Sequence, residues 1–249
     1  MTPFLAIALL VSADLTATLN ALEPQADYIV LDLRTGQTIA QRWLDPAVPI
    51  PVGSLVKPFL AMAWNGAYPE FDCRGAAGAC WRTQPHGHLR FPEALAQSCN
   101  AYFLQFAAKV DENALHTVTS TFGIAPPRST TAEARIGLGE AWRIAPSSLL
   151  RAYGELARRR GDPRVDPILA GLELSAREGT AKDLGGGMLA KTGTAACVAP
   201  RRHAGDGFTV ALAPANAPRI AVLVRIHDVP GAQAARTAAR LLKAAGPSK

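Results

Sequence analysis

Strand-like runs stand at both ends of this chain, and helix-like runs fill its middle. Residues 28–32 (YIVLD) are apolar and β-branched, Arg34-Thr35-Gly36-Gln37 turns the chain, and residues 38–43 continue outward, which predicts a hairpin. Residues 188–194, 208–213 and 220–226 read as further strands, the first entered through Gly185-Gly186-Gly187. Helical spacing covers residues 55–64, 92–110 (broken near Ser98), 112–122, 146–160 and 232–245. Pro146 and Gly161 punctuate the fourth of these as helix start and stop. Residues 66–88, rich in Gly, read as irregular, and there are no internal repeats. This order predicts an α+β fold: an antiparallel sheet of N- and C-terminal strands flanked by helices, with a mainly helical subdomain.

At 249 residues, 49% hydrophobic and 18% charged, the chain can bury one good core or two subdomains sharing a cleft, and it is not disordered. The net charge of +6 suits an anionic polymer or membrane surface, and equally an Arg- and Ala-rich composition that leans basic. No basic run exceeds Arg158-Arg159-Arg160. Aromatic content of 6% is too sparse for nucleic-acid stacking platforms, and no nucleic-acid partner is expected.

Three short motifs carry chemistry. Ser54-Leu55-Val56-Lys57 is followed by Ser98-Cys99-Asn100 and then by Lys191-Thr192-Gly193-Thr194. Ser-x-x-Lys, Ser-x-Asn and Lys-Thr-Gly in that order mark serine acylation with lysine as the proton carrier. One helical turn separates Ser54 from Lys57, so the hydroxyl is expected beside the amine at a helix start. Lys57 must be neutral to act as base, and its apolar flanks and a second cation at Lys191 would lower its pKa. Ser98 would pass the proton onward, and Asn100 would bind a substrate amide. Lys191, Thr192 and Thr194 would hold a substrate carboxylate along an edge strand, with Gly193 admitting the substrate backbone. The backbone N–H groups of Ser54 and Thr194 would form the oxyanion hole.

These motifs and their surroundings resemble the transpeptidase domain of penicillin-binding proteins, class B of the cell-elongation type. The likeness runs through DYIVLDLRTGQTIA, PVGSLVKPFLAM, FPEALAQSCNAYFLQFA, IGLGEAWRIAPSSLLRAYGELA, REGTAKDLGGGMLAKTGTA and FTVALAPANAPRIAVLVR. It implies a serine D,D-transpeptidase acting on D-Ala-D-Ala stem peptides of peptidoglycan, acylated on Ser54 and trapped covalently by β-lactams. Wall-elongation proteins are then the expected partners, and no cofactor is needed for catalysis. The chain departs from the family in having no room for the usual N-terminal module. Its short stretch between the second and third motifs looks like class D β-lactamase spacing. The competing functions are a D,D-carboxypeptidase, a β-lactamase, and a non-catalytic penicillin-binding sensor or scaffold. A β-lactamase needs a group that activates water. There is no Glu-x-x-Leu-Asn, and Tyr153-Gly154 is followed by Glu155 where class D enzymes place Asn.

Cys73, Cys80, His86 and Cys99 form a Cys-x6-Cys-x5-His-x12-Cys series between the first two motifs. Three thiolates and one imidazole satisfy tetrahedral zinc. Some elongation-type relatives bind zinc in this region, and Cys80, His86 and Cys99 match that pattern. Such an ion would be structural and would pin the Ser98-Cys99-Asn100 loop. A Cys73–Cys80 disulfide, with Cys99 a buried thiol, and free cysteines are the competing readings, and His88 is an alternative to His86. Cys197 has no evident partner.

Residues 1–21 read as a secretory signal, with Val11-Ser12-Ala13 a small-residue cleavage site, and residues 22–249 as the transpeptidase domain. A buried N-terminal helix is the competing reading. Export would place the protein in the periplasm or outside the cytoplasm, soluble or loosely membrane-associated. Trp64, Trp81 and Trp142 are expected in packing roles, His203 in a solvated loop, and Glu140 in orienting the Gly137-Leu138-Gly139 turn.

Overall fold

The computed structural model describes residues 14–195 and 205–246. The proposed cleavage segment at 1–13, Cys197 and His203 lie outside the described residues. A five-stranded antiparallel sheet forms the centre. Its strands are β1 (Asp27–Asp32), β2 (Gln37–Arg42), β3 (Leu189–Ala195), β4 (Asp206–Ala213) and β5 (Ile220–Ile226), in the spatial order β2-β1-β5-β4-β3. The first strand therefore pairs with the last, Asp27 opposite Arg225 and Asp32 opposite Ile220, as the sequence predicts. β3, which carries Lys191-Thr192-Gly193-Thr194, stands at the sheet edge.

Alternation along the strands divides the core. Tyr28, Val30, Val222 and Val224 face the C-terminal helix Gly231–Ala245 and bury its Ala234, Ala235, Ala238 and Leu241. Ile29, Leu31, Ala221 and Leu223 face the other way, into the helical part of the molecule. Each fully buried Leu, Val or Ile contributes about 1.5–3 kcal/mol, so this double-sided burial fixes the strand register.

The helical part contains α1 (Lys57–Met62), α2 (Phe91–Ala96), α3 (Asn100–Ala107), α4 (Glu112–Thr121), α5 (Pro146–Arg158) and α6 (Asp166–Arg177). The break expected near Ser98 separates α2 from α3. Residues 66–88, expected to be irregular, contain two short strands, Phe71–Cys73 and Gly87–Leu89, that pair with each other. α6 gave no clear signal in the sequence. Gly171 in its middle faces α2, where a Cβ would fall 2.9 Å from Leu95 Cδ2, so this glycine permits a close helix contact.

Residues 14–22 are helical and belong to the folded unit. Leu19 is fully buried, and Tyr28 Oη donates to the Thr16 carbonyl and to Asn20 Oδ1. The folded unit thus begins ahead of residue 22, the boundary expected from the sequence. Among the described residues no helix is long and apolar enough to cross a membrane.

Candidate active site

The expected α-helix at Ser54 is instead a 3₁₀ turn, Gly53–Val56, that leads into α1 at Lys57. Pro58 sits in the first turn of α1, where its missing N–H costs nothing. Gly53 has φ +59°, and a Cβ there would fall 2.4 Å from the Thr194 carbonyl oxygen. A Cβ on Gly193 would fall 2.6 Å from the Val52 carbonyl oxygen. Two glycines thus let the Ser54 turn and strand β3 abut backbone to backbone. Behind the turn, Tyr153 Oη donates to the Leu55 carbonyl at 2.7 Å, and Phe59 packs edge-on to the same ring.

Ser54 opens onto a cleft of about 320 Å³, together with Ser98, Asn100, Thr192, Gly193 and Thr194. Two fully buried lysines lie beneath it. Lys57 Nζ donates to Asn100 Oδ1 at 2.7 Å and to the Ser98 carbonyl at 2.9 Å, and lies 3.3 Å from Ser98 Oγ. Lys191 Nζ lies 2.8 Å from Ser98 Oγ and donates to the Thr192 carbonyl at 2.7 Å. Burial pushes Lys57 down to about 7, against a smaller upward pull from negative charge at Cys99 and Cys80. Burial, then the charge on Lys57, push Lys191 well below its ordinary value. Ser98 between them has φ +51°, a left-handed conformation uncommon outside glycine and retained most often at functional sites.

Two expectations change here. Among the described residues Ser54 makes no side-chain hydrogen bond. The Lys57 amine is engaged by the Ser98 carbonyl, Ser98 Oγ and Asn100 Oδ1, and Ser54 lines the cleft without a hydrogen bond to it. Lys191, expected on a substrate carboxylate, is buried against Ser98 and belongs to the lysine–serine network. Thr194 stays exposed, its Oγ1 accepting from the Gly231 N–H at 3.0 Å, with its own proton free to donate.

Sequence reasoning missed Thr180 and misread Trp81. Thr192 Oγ1 and Thr180 Oγ1 are 2.6 Å apart, and the Thr180 amide donates to the Ala96 carbonyl, so Thr180 ties β3 to the end of α2. Trp81 is 55% exposed and lines the cleft, while Trp142 is buried and Trp64 packs against the core, as expected. The Trp81 indole N–H donates to the Gln97 carbonyl, one residue before Ser98. Proximity of Trp81 to Cys80 was the available signal. Glu140 lies 3.6 Å from Arg143 and does not reach the cleft.

Cys73, Cys80, His86 and Cys99 converge, their ligand atoms all within 4.8 Å of one another. His86 Nδ1 lies 3.4 Å from Cys73 Sγ and 3.5 Å from Cys80 Sγ, and Cys80 Sγ lies 3.7 Å from Cys99 Sγ. Zinc bonds of about 2.3 Å to sulfur and about 2.0 Å to nitrogen give tetrahedral edges of roughly 3.8 Å between sulfurs and roughly 3.5 Å from sulfur to nitrogen. The donor set and its edges fit that ion. Cys73 and Cys80 are free thiols, so the alternative disulfide is not formed. His88 is exposed and bound to Asp72 and Glu70, and therefore does not replace His86. Burial raises Cys99. Backbone N–H groups of Arg82, Ala101 and Asn100 outweigh the same effect at Cys80 and lower it.

No protein-family model matches this sequence, and no curated protein does. Solved structures match over nearly the whole chain. Pseudomonas aeruginosa PBP2 in complex with WCK 5153 superposes with a TM-score of 0.79 at 18% identity, over 96% of this chain and 74% of that one. The chain has the fold of penicillin-binding protein transpeptidase domains. Helicobacter pylori penicillin-binding protein PBP2, solved with MreC, gives 0.75 at 14% identity, over 94% of this chain and 63% of its own. PBPA from Mycobacterium tuberculosis gives 0.71 at 16% identity, over 88% of this chain and 74% of its own. The resemblance expected from the motifs thus holds for the fold, at identities of 14–18%.

Proposed function

We propose that the chain is a serine D,D-transpeptidase that acts on peptidoglycan stem peptides through an acyl-enzyme on Ser54 and is acylated by β-lactams. The observation that supports this most is the convergence of two buried, low-pKa amines on one serine beneath the cleft that Ser54 lines. A stem peptide ending in D-Ala-D-Ala would lie along the free edge of β3 as an added strand, its carboxylate on the Thr194 hydroxyl and an amide on Asn100. Neutral Lys57 would take the Ser54 proton as Oγ attacks the penultimate D-Ala carbonyl. The amides of Ser54 and Thr194 would hold the oxyanion. Ser98, bridging Lys57 and Lys191, would return a proton to the departing D-Ala nitrogen as the C–N bond breaks. An acceptor amine would then attack the ester, its proton passing to Lys57 and restoring Ser54.

Among the described residues no carboxylate and no imidazole lines the cleft, which supports a long-lived acyl-enzyme over a β-lactamase. Cys73, Cys80, His86 and Cys99 would hold a structural zinc. Bound there, zinc supplies a rigid cross-link, and Cys99 carries it into the loop that presents Ser98 and Asn100. An extracytoplasmic site of action and wall-elongation partners follow from this reading. The Helicobacter pylori neighbour is a complex with MreC, and another neighbour comes from a peptidoglycan synthase complex. Labelling purified protein with a fluorescent penicillin tests the proposal. Wild type should retain label for many minutes and Ser54→Ala should take none, whereas loss of label within seconds would mark a β-lactamase.

A further inference from the structure

At the end of the sheet remote from Thr194, three segments meet around a cavity of about 440 Å³. They are the β1–β2 turn (Leu33, Arg34), the end of α5 and the residues after it (Arg158, Arg160), and the β4–β5 turn, which ends at Arg219. The four guanidinium groups are far apart in sequence and are brought together by the fold. No carboxylate among the described residues lines the cavity. Asp32 lies 3.5 Å from Arg34 and Glu155 lies 3.2 Å from Arg158, both from outside it. Arg160 and Arg219 have no carboxylate partner among the described residues. Two of the four positive charges are therefore left uncompensated.

Two of the arginines are braced. Arg158 donates to the Leu33 carbonyl and to Glu155 Oε2, each at 3.2 Å, and Arg160 donates to the Ala215 carbonyl at 2.8 Å, which orients each fork and leaves the remaining N–H groups of Arg160 available. The remaining lining is apolar (Leu33, Ala157, Ala217, Pro218) apart from the Asn216 amide. Like charges held together around a hollow repel one another, and an anion between them offsets that cost. Planar guanidinium forks match phosphate oxygens bidentately. A residual charge of two suits a diphosphate or a phosphate ester, and the apolar lining suits a non-polar group attached to it. We propose that this cavity binds a phosphate-bearing ligand, separately from the catalytic cleft and whatever the chemistry there. The phosphate could be that of a lipid headgroup or of a soluble ester.

The test uses the full chain at low ionic strength, with inorganic pyrophosphate followed by calorimetry. Co-sedimentation with phosphatidylcholine vesicles, with and without phosphatidylglycerol, forms the second arm. The cavity variants are Arg160→Gln/Arg219→Gln and Arg34→Glu/Arg219→Glu. The second spares the Arg160–Ala215 contact should the first lower the melting temperature. Arg236→Gln, on the exposed face of the C-terminal helix, is the charge control. Wild type and the control should bind at least one probe, more weakly as salt is added. Both cavity variants should lose about tenfold or more in affinity, equivalent to ~1.4 kcal/mol. Penicillin labelling of the variants should match wild type. Pyrophosphate binding alone assigns a soluble ester, and sedimentation with phosphatidylglycerol alone assigns a lipid headgroup. Binding to neither probe, or equal binding by wild type and both cavity variants, overturns the proposal.

Discussion

Lys57 sets the pH behaviour of the site. Its ordinary value of 10.5 falls to about 7 in the folded chain, so the neutral amine accumulates as pH rises through 7. The β-lactam acylation rate should climb across that range, read by stopped-flow mixing. Lys57→Arg, locked in the charged form, should lose about 100- to 10,000-fold at every pH. Between pH 7 and 10.5 the unfolded chain binds a proton that the folded chain does not, so stability should also rise across that window. Trp81 belongs to the same scale. With the indole in the cleft wall, Trp81→Ala should slow acylation about tenfold, or ~1.4 kcal/mol, while Ser54 still labels to completion. An unchanged rate would return Trp81 to a packing role. The motif residues were legible because their chemistry demands those types in that order. Trp81 and Thr180 were not, because the loop after Cys80 and the turn after α6 bring them to the cleft.

At the scale of elements, the Ser54 turn and strand β3 work as one unit because glycine removes the side chains between them. Gly53→Ala would place a methyl 2.4 Å from the Thr194 carbonyl oxygen in a left-handed backbone. Gly193→Ala would place one 2.6 Å from the Val52 carbonyl oxygen. Each should cost about 1–3 kcal/mol in denaturant unfolding and should abolish penicillin labelling, because the two amides separate. A variant that melts early but labels normally would contradict the shared oxyanion hole. The sheet and most helices were legible from hydrophobic period. The turn at Ser54 was not, because Ser-x-x-Lys spacing suits an α- and a 3₁₀-turn alike. α6 escaped because Gly171 looks like a breaker and is in fact a contact.

For the whole molecule, the segments that carry Cys73, Cys80–His86 and Cys99 bring four ligand atoms together at one point. Elemental analysis of protein purified without chelator should give about one zinc per chain, and chelation should lower the melting temperature and slow penicillin labelling. Metal-free protein that melts and labels as before would remove zinc from the account. The pairing of first and last strands was legible because apolar runs stood at both termini. The arginine cavity was not, since its arginines are neighbours only once the two turns and the end of α5 come together. The central claim is that Ser54 is the nucleophile. Peptide mapping by mass spectrometry after benzylpenicillin treatment tests it most directly. One stable adduct on the peptide containing Ser54, absent in Ser54→Ala, is the predicted result. An adduct on another residue, or none, would contradict it.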